Sequence, residues 1–344
     1  MRFKIATIWL MVIPLSLSTF PESGASGATP PSEVQVEQLV KAAIDLHTTL
    51  PSFSPSLASV STSGGQYAAQ GTSLSFKCDP ENSGRLAKHP KPCWYGDQTS
   101  KRVVVLFGDS NAGNWTPALN LALKKLGYKL AVFVYPGCSS QLIALTSVPG
   151  ESESSVQRCN LFHSKVVNVI EELHPVALIS AELGEGFSGK ESSFLPFAKN
   201  WKSTFNLLTA NNPHAIRILM GTTPVNIGES VPVCLSRYVS SSTNEGMKQC
   251  SPNYYPGVNF ATNTWSYWQR DQLSASVSDA HLIPTSKWFC GFTSKMENFC
   301  PAIIGKTLVY VDSDHISIDY MELLQGVVRE GLASVGLQVV ASIR

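Results

Sequence analysis

Five short runs of apolar, often β-branched residues mark the middle of the chain: Val103 to Phe107, Leu130 to Tyr135, Pro175 to Ala181, Ala215 to Gly221 and Ala280 to Pro284. Polar or turn residues bound each run, as they bound buried strands. Between the runs, apolar positions recur every three or four residues instead. Leu119, Ala122, Leu123 and Leu126 form one such set; Leu161, Val166, Val167, Ile170 and Leu173 form another. Phe194, Phe197, Trp201 and Phe205 form a third, within Ser193 to Leu208, and read as a core face rather than a ligand box. This spacing predicts helices. A weaker helix is expected over Trp265 to Val277, a closing one over Ile318 to Leu332, and a short early one over Gln35 to His47. Gly127 stands where a helix C-cap glycine belongs. Strands alternating with helices predict a flavodoxin-like three-layer α/β/α sandwich with a mostly parallel sheet of about five strands.

The flanks are organised differently. Arg2 and Lys4 precede an apolar stretch from Ile5 to Leu17, and small residues follow up to Ala25 and Ala28. This is the pattern of a secretory signal peptide, assigned to 1–28. The stretch is short of the roughly 20 apolar residues a membrane span needs. Residues 29–100 read as a linker and N-terminal extension, and 101–344 as the catalytic domain. Loops are expected at 139–158 and, as an excursion over one edge of the sheet, at 226–255.

Composition narrows the function. The chain has 344 residues, 43% of them hydrophobic, and a formal net charge of +1, with no basic block that would favour nucleic acid. Its eight cysteines fit an exported protein with disulfides. Eight allow about a hundred connectivities; pairing neighbours in sequence gives Cys78–Cys93, Cys138–Cys159, Cys234–Cys250 and Cys290–Cys300. No C-x-x-C pair or His/Cys cluster has zinc-ligand spacing, so no metal or other cofactor is expected.

The first strand runs into Gly108-Asp109-Ser110, and a helix follows. A serine at the carboxyl end of a strand is where open α/β sheets place their chemistry. A serine hydroxyl needs a base to attack a carbonyl. About two hundred residues later, Asp312-Ser313-Asp314-His315 supplies D-x-x-H after the apolar run Leu308 to Val311. An aspartate there can orient the imidazole and stabilise it once protonated. Asp314 competes with Asp312 for that task. Asp109 reads as a structural hydrogen-bonder of the turn. Asn114-Trp115-Thr116 is a formal glycosylation sequon, so close to Ser110 that it is taken as chance.

These residues carry a family resemblance. Gly108-Asp109-Ser110-Asn111-Ala112, Pro117-Ala118-Leu119, Gly137-Cys138, Pro232-Val233-Cys234-Leu235 and Tyr310 to Ser317 stand in order. Together they resemble the SGNH (GDSL-type) hydrolase superfamily, and most closely the SGNH domain fused to membrane acyltransferases of the acyltransferase-three family. The resemblance covers roughly residues 50 to 335. It implies Ser110 as nucleophile, His315 as base and Asp312 as its orienting acid. It also implies Gly137 as an oxyanion donor and Asn111 as an oxyanion or substrate contact. The G-x-N-D motif of the superfamily is missing after the third strand, where the chain reads Ala181-Glu182-Leu183-Gly184-Glu185-Gly186.

The expected activity is that of an exported serine O-acyl esterase or O-acyltransferase acting on acyl esters of cell-surface glycans. The expected location is secreted, periplasmic or in the cell envelope. Its partners would be an acylated glycan or small acyl ester and, for transfer, a membrane acyltransferase as acyl donor. The competing readings are a catalytically inert glycan-binding protein on the same fold and a lipase-like carboxylesterase.

Overall fold

The computed structural model describes residues 29–46, 52–61, 91–143, 153–183, 191–224, 229–238, 245–251, 253–254, 264–294 and 298–339. The segment 1–28 expected to be a signal peptide, Cys78 and with it the Cys78–Cys93 pairing, and Gly184 to Gly186 lie outside them.

The strands in chain order are β1 (Cys93–Gly96), β2 (Val103–Gly108), β3 (Lys129–Val134), β4 (Ala177–Ala181), β5 (Ile216–Met220), the two-residue β6 (Asn253–Tyr254) and β7 (His281–Ile283). The central sheet has the order β1-β3-β2-β4-β5-β7. All five apolar runs of the sequence are in it, mutually parallel. Counted among themselves, these five follow the order 2-1-3-4-5, the flavodoxin-like arrangement. The sixth strand, β1, pairs antiparallel with β3 and forms an edge. It lies in the segment expected to be an extension. Cys-Trp-Tyr-Gly is too short to show a period, and only its partner makes it a strand.

The parallel strands are buried on both faces, so their sequences run apolar without alternation. The pleat still sorts their side chains. Val104 and Leu106 of β2 join one core cluster, and Val105 and Phe107 the other. The helices Thr116–Leu126, Ile318–Leu323 and Gln325–Ser334 supply the first cluster. The helices Glu153–Glu172, Phe194–Leu208 and Thr264–Ser278 supply the second. These are the expected three layers. Gly127 caps the Thr116–Leu126 helix at φ 80°.

Three expectations need correction. The loop at 139–158 gives way to a helix from Glu153, whose first turns are too polar for the periodicity to register. The closing helix is two helices, meeting at Leu324. The excursion at 226–255 holds the helices Val231–Ser236 and Glu245–Cys250, and Val231, Leu235 and Cys250 are core residues. Short stretches β6, β8 (Gly291–Phe292) and β9 (Asn298–Phe299) form a separate antiparallel sheet, and β10 (Ile303–Ile304) and β11 (Thr307–Leu308) form a hairpin. The disulfides Cys138–Cys159, Cys234–Cys250 and Cys290–Cys300 are formed as expected from sequence neighbours.

Candidate active site

In a sheet of this order, the strand order reverses between β2 and β4, and their carboxyl ends frame a crevice. Gly108 ends β2 there. A methyl group on it would meet Ala112 Cβ and Ser140 Oγ at 2.6 Å and the Ala181 carbonyl at 2.8 Å, so only glycine fits. The next residue, Asp109, is the N-cap of a five-residue helix, Ser110–Asn114. Its carboxylate accepts from Asn111 N at 2.8 Å and Ala112 N at 3.0 Å through one oxygen, and from Leu183 N at 3.1 Å through the other. Ser140 Oγ accepts from Asp109 N at 3.0 Å and donates to the Ala181 carbonyl at 2.7 Å. The turn after β3 and the end of β4 are thereby tied to Asp109, the residue that follows Gly108. Burial pushes the Asp109 carboxyl up to about 6, against the pull of the three amides.

Ser110 is the first residue of that short helix and is partly exposed. Asp109 takes the amides of Asn111 and Ala112, leaving that of Ser110 uncapped. Asn111 is buried, and its amide nitrogen donates to Thr223 Oγ1 at 2.9 Å, while its Oδ1 has no hydrogen-bond partner. Thr223 follows β5, so this bond spans the crevice from β2 toward β5. Gly137 sits in the turn after β3 with φ 69°, a conformation that suits glycine. The carboxyl end of β4 continues into Glu182 and Leu183. Both carbonyls accept from the guanidinium of Arg270, at 3.2 and 3.1 Å, and Arg270 also pairs with Asp271 at 2.8 Å.

The D-x-x-H segment folds on itself. Asp312 Oδ1 accepts from Asp314 N at 2.9 Å and His315 N at 2.7 Å, and its Oδ2 lies 2.7 Å from His315 Nδ1. Asp314 stands farther off, 3.7 Å from the same nitrogen, and accepts from Ser313 Oγ at 2.9 Å. Of the two competing aspartates, Asp312 holds the imidazole. The other ring nitrogen, Nε2, is buried and has no hydrogen-bond partner, so Ser110 and His315 are not directly bonded. Burial would depress the His315 imidazole. The bond to Asp312 and the charges of Asp312, Asp314 and Asp109 together outweigh it and push the group up to about 9. Burial pushes Asp312 up as well, but the hydrogen bond and charge of His315 bring it below the ordinary carboxylate value. Asp314 is held above that value, chiefly by burial.

Two side chains join these pieces without a signal in the sequence. Asn114, the sequon asparagine, is buried: its Oδ1 accepts from Ile316 N at 3.3 Å and its Nδ2 donates to the Asp314 carbonyl at 3.4 Å. No glycan can occupy it in this fold. Ser140 was one serine among many in a loop. The excursion contributes as well, through Val231 N, which donates to the Asp312 carbonyl at 3.2 Å.

Comparison with known proteins bears on the family and the fold. The family described as the SGNH domain (fused to AT3 domains) matches residues 77–330. No curated protein matches the chain. Among solved structures, the periplasmic domain of a lipopolysaccharide acetyltransferase from Salmonella ser. Paratyphi A is similar, with TM-score 0.50 and 13% identity over 69% of this chain and 84% of that one. A salicylyl-acyltransferase from a tetracycline biosynthetic pathway (0.40, 13%, 72% and 58%) and an acylhydrolase from Bacteroides fragilis (0.38, 17%, 73% and 93%) are more distant. The chain therefore belongs to the family of SGNH domains fused to AT3 domains, the SGNH-type esterases and acyltransferases.

Proposed function

We propose that the protein is an exported serine O-acyl esterase or O-acyltransferase acting on acyl esters of cell-surface glycans, with Ser110, His315 and Asp312 as its triad. The observation that carries this reading is the 2.7 Å bond between Asp312 Oδ2 and His315 Nδ1, with Nε2 left buried and unpartnered. A base held in this way presents one nitrogen for a proton.

In the reaction, His315 Nε2 takes the hydroxyl proton as Ser110 Oγ bonds to the ester carbonyl carbon. The uncapped Ser110 amide faces the developing oxyanion, and Gly137 and Asn111 are the further candidates for that task. The tetrahedral intermediate expels the alcohol, which takes the proton back from His315. The acyl group then rests on Ser110. Water, or a sugar hydroxyl, attacks it by the same route in reverse. Transfer requires an acyl donor, and kinship to domains fused to AT3 domains supports a membrane acyltransferase partner in that role. Export is supported by the N-terminal pattern and by three disulfides, which persist in oxidising compartments. Among the described residues, no helix is long and apolar enough to cross a membrane.

The test is p-nitrophenyl acetate turnover by the purified protein against Ser110→Ala. We expect the variant to lose about 1,000-fold or more in kcat/KM. Equal turnover by both would refute the nucleophile. No turnover by either, together with no fluorophosphonate adduct at Ser110, would favour an inert glycan binder.

A further inference from the structure

We infer that Asn114 is a positioning residue that sets where His315 stands relative to Ser110; this rests on the triad reading above. Ser110 and Asn114 are the first and last residues of one five-residue helix. Asn114 is 1% exposed, and its amide grips the backbone on both flanks of His315. The oxygen accepts from Ile316 N, and the nitrogen donates to the Asp314 carbonyl. The partners are about two hundred residues distant in sequence, so local chain geometry does not bring them together.

The need for such a clamp follows from what is missing between the catalytic candidates. No hydrogen bond joins Ser110 to His315 in the free protein, since Nε2 has no partner. Asp312 fixes the ring against its own loop and controls its rotation. It does not fix the loop against the nucleophile. Of the described hydrogen bonds, the two from Asn114 tie the Ser110 helix to the His315 loop. An asparagine suits the place because the flanks offer one donor and one acceptor, and a primary amide meets both. Aspartate offers no donor to the Asp314 carbonyl. Leucine of similar size meets neither and would leave the buried Ile316 amide unpaired.

Displacement of a reacting group by about 1 Å can cost on the order of 100-fold in rate. Asn114→Ala should therefore slow reaction of Ser110 with a fluorophosphonate by about 10- to 100-fold, and lower kcat for p-nitrophenyl acetate with little change in KM. A second readout does not depend on activity. In ¹H–¹⁵N NMR of histidine-labelled protein, the titration midpoint of His315 should shift in Asn114→Ala, because an untied loop changes both the burial of the ring and its distance from Asp109. Asn114→Ser, which can keep one of the two bonds, should fall between wild type and alanine. It serves alone if the alanine variant does not fold. A folded Asn114 variant with wild-type labelling rate and an unmoved His315 titration would overturn the inference. If wild-type Ser110 is not labelled at all, the triad reading fails, and the NMR midpoint alone decides whether Asn114 holds the loop.

Discussion

Asp109 and Leu183 are 74 residues apart, and the carboxylate of one accepts the backbone amide of the other at 3.1 Å across the point where the strand order reverses. The same carboxylate caps the helix that carries Ser110. One buried side chain thus joins the ends of β2 and β4 on which the crevice depends.

Asp109→Ala strands three amides, two of them buried, and should cost about 3 kcal/mol or more in thermal or denaturant unfolding. Asp109→Asn keeps one acceptor oxygen and should cost less. The acidic range gives a sharper check. The folded-state value of about 6 lies above the ordinary 3.8, so the folded protein holds this proton more tightly than the unfolded chain. Ionising Asp109 therefore erodes stability as pH rises from about 4 to 6. Asp109→Asn removes that erosion, and its deficit against wild type should shrink across the window. A constant deficit would contradict the assignment.

In the proposed mechanism, His315 must be neutral to accept the serine proton. Its value is raised from 6.5 to about 9, so kcat/KM should climb on the alkaline side of neutrality rather than near 6.5. Asp312→Ala should move that limb to lower pH and reduce the plateau by about 100-fold or more. Asp314→Ala, at 3.7 Å and without a bond to the ring, should keep far more activity. The reverse ranking would transfer the orienting role to Asp314. Stability runs against activity here, with the same sign as for Asp109. The pairing of His315 with its carboxylates stabilises the fold fully below pH 6.5 and is lost as pH rises through about 9.

Gly108→Ala places a methyl group 2.6 Å from two side-chain atoms and 2.8 Å from the Ala181 carbonyl. The backbone must give, and we expect a loss of about 1–3 kcal/mol. Esterase activity should fall further than the unfolded fraction explains, because Ser110 is two residues away. Circular dichroism melts with parallel kinetics would separate the two effects.

The Cys234–Cys250 disulfide closes a short loop and anchors the Val231–Ser236 helix, whose first amide donates to the Asp312 carbonyl. A Cys234→Ser, Cys250→Ser protein should lose about 3 kcal/mol of stability. It should also lose activity, since the acid loop is held from that side. Non-reducing mass spectrometry should find no free thiol in the wild-type described pairs. An active, equally stable double variant would show that the helix stands without the bridge.

Much of the sheet was legible because strands buried on both faces must be apolar throughout and must alternate with amphipathic helices. The five parallel strands came from that rule alone. β1 was not legible, because four residues carry no period and an edge strand is defined by its neighbour. In the candidate site, Ser110, Asp312 and His315 could be singled out because each sits in a short ordered motif. Asn114 and Ser140 were not. Their importance lies in backbone groups that only the fold brings near, and a sequence shows side-chain types but not the amides and carbonyls they serve. The sequon reading of Asn114 illustrates the limit: the same three letters describe a surface acceptor or a buried clamp, and burial decides.

The chain-order separation of Asn114 and Ile316 has a consequence for biogenesis. A chain that emerges amino end first presents Ser110 long before residues 312–316 exist. Contacts this distant in sequence form late and slowly. In the triad proposed above, Ser110 is without its base until they do, and up to that point is an ordinary hydroxyl. The proposed triad is thus timed by topology: its parts meet only when nearly the whole domain has been made and closed.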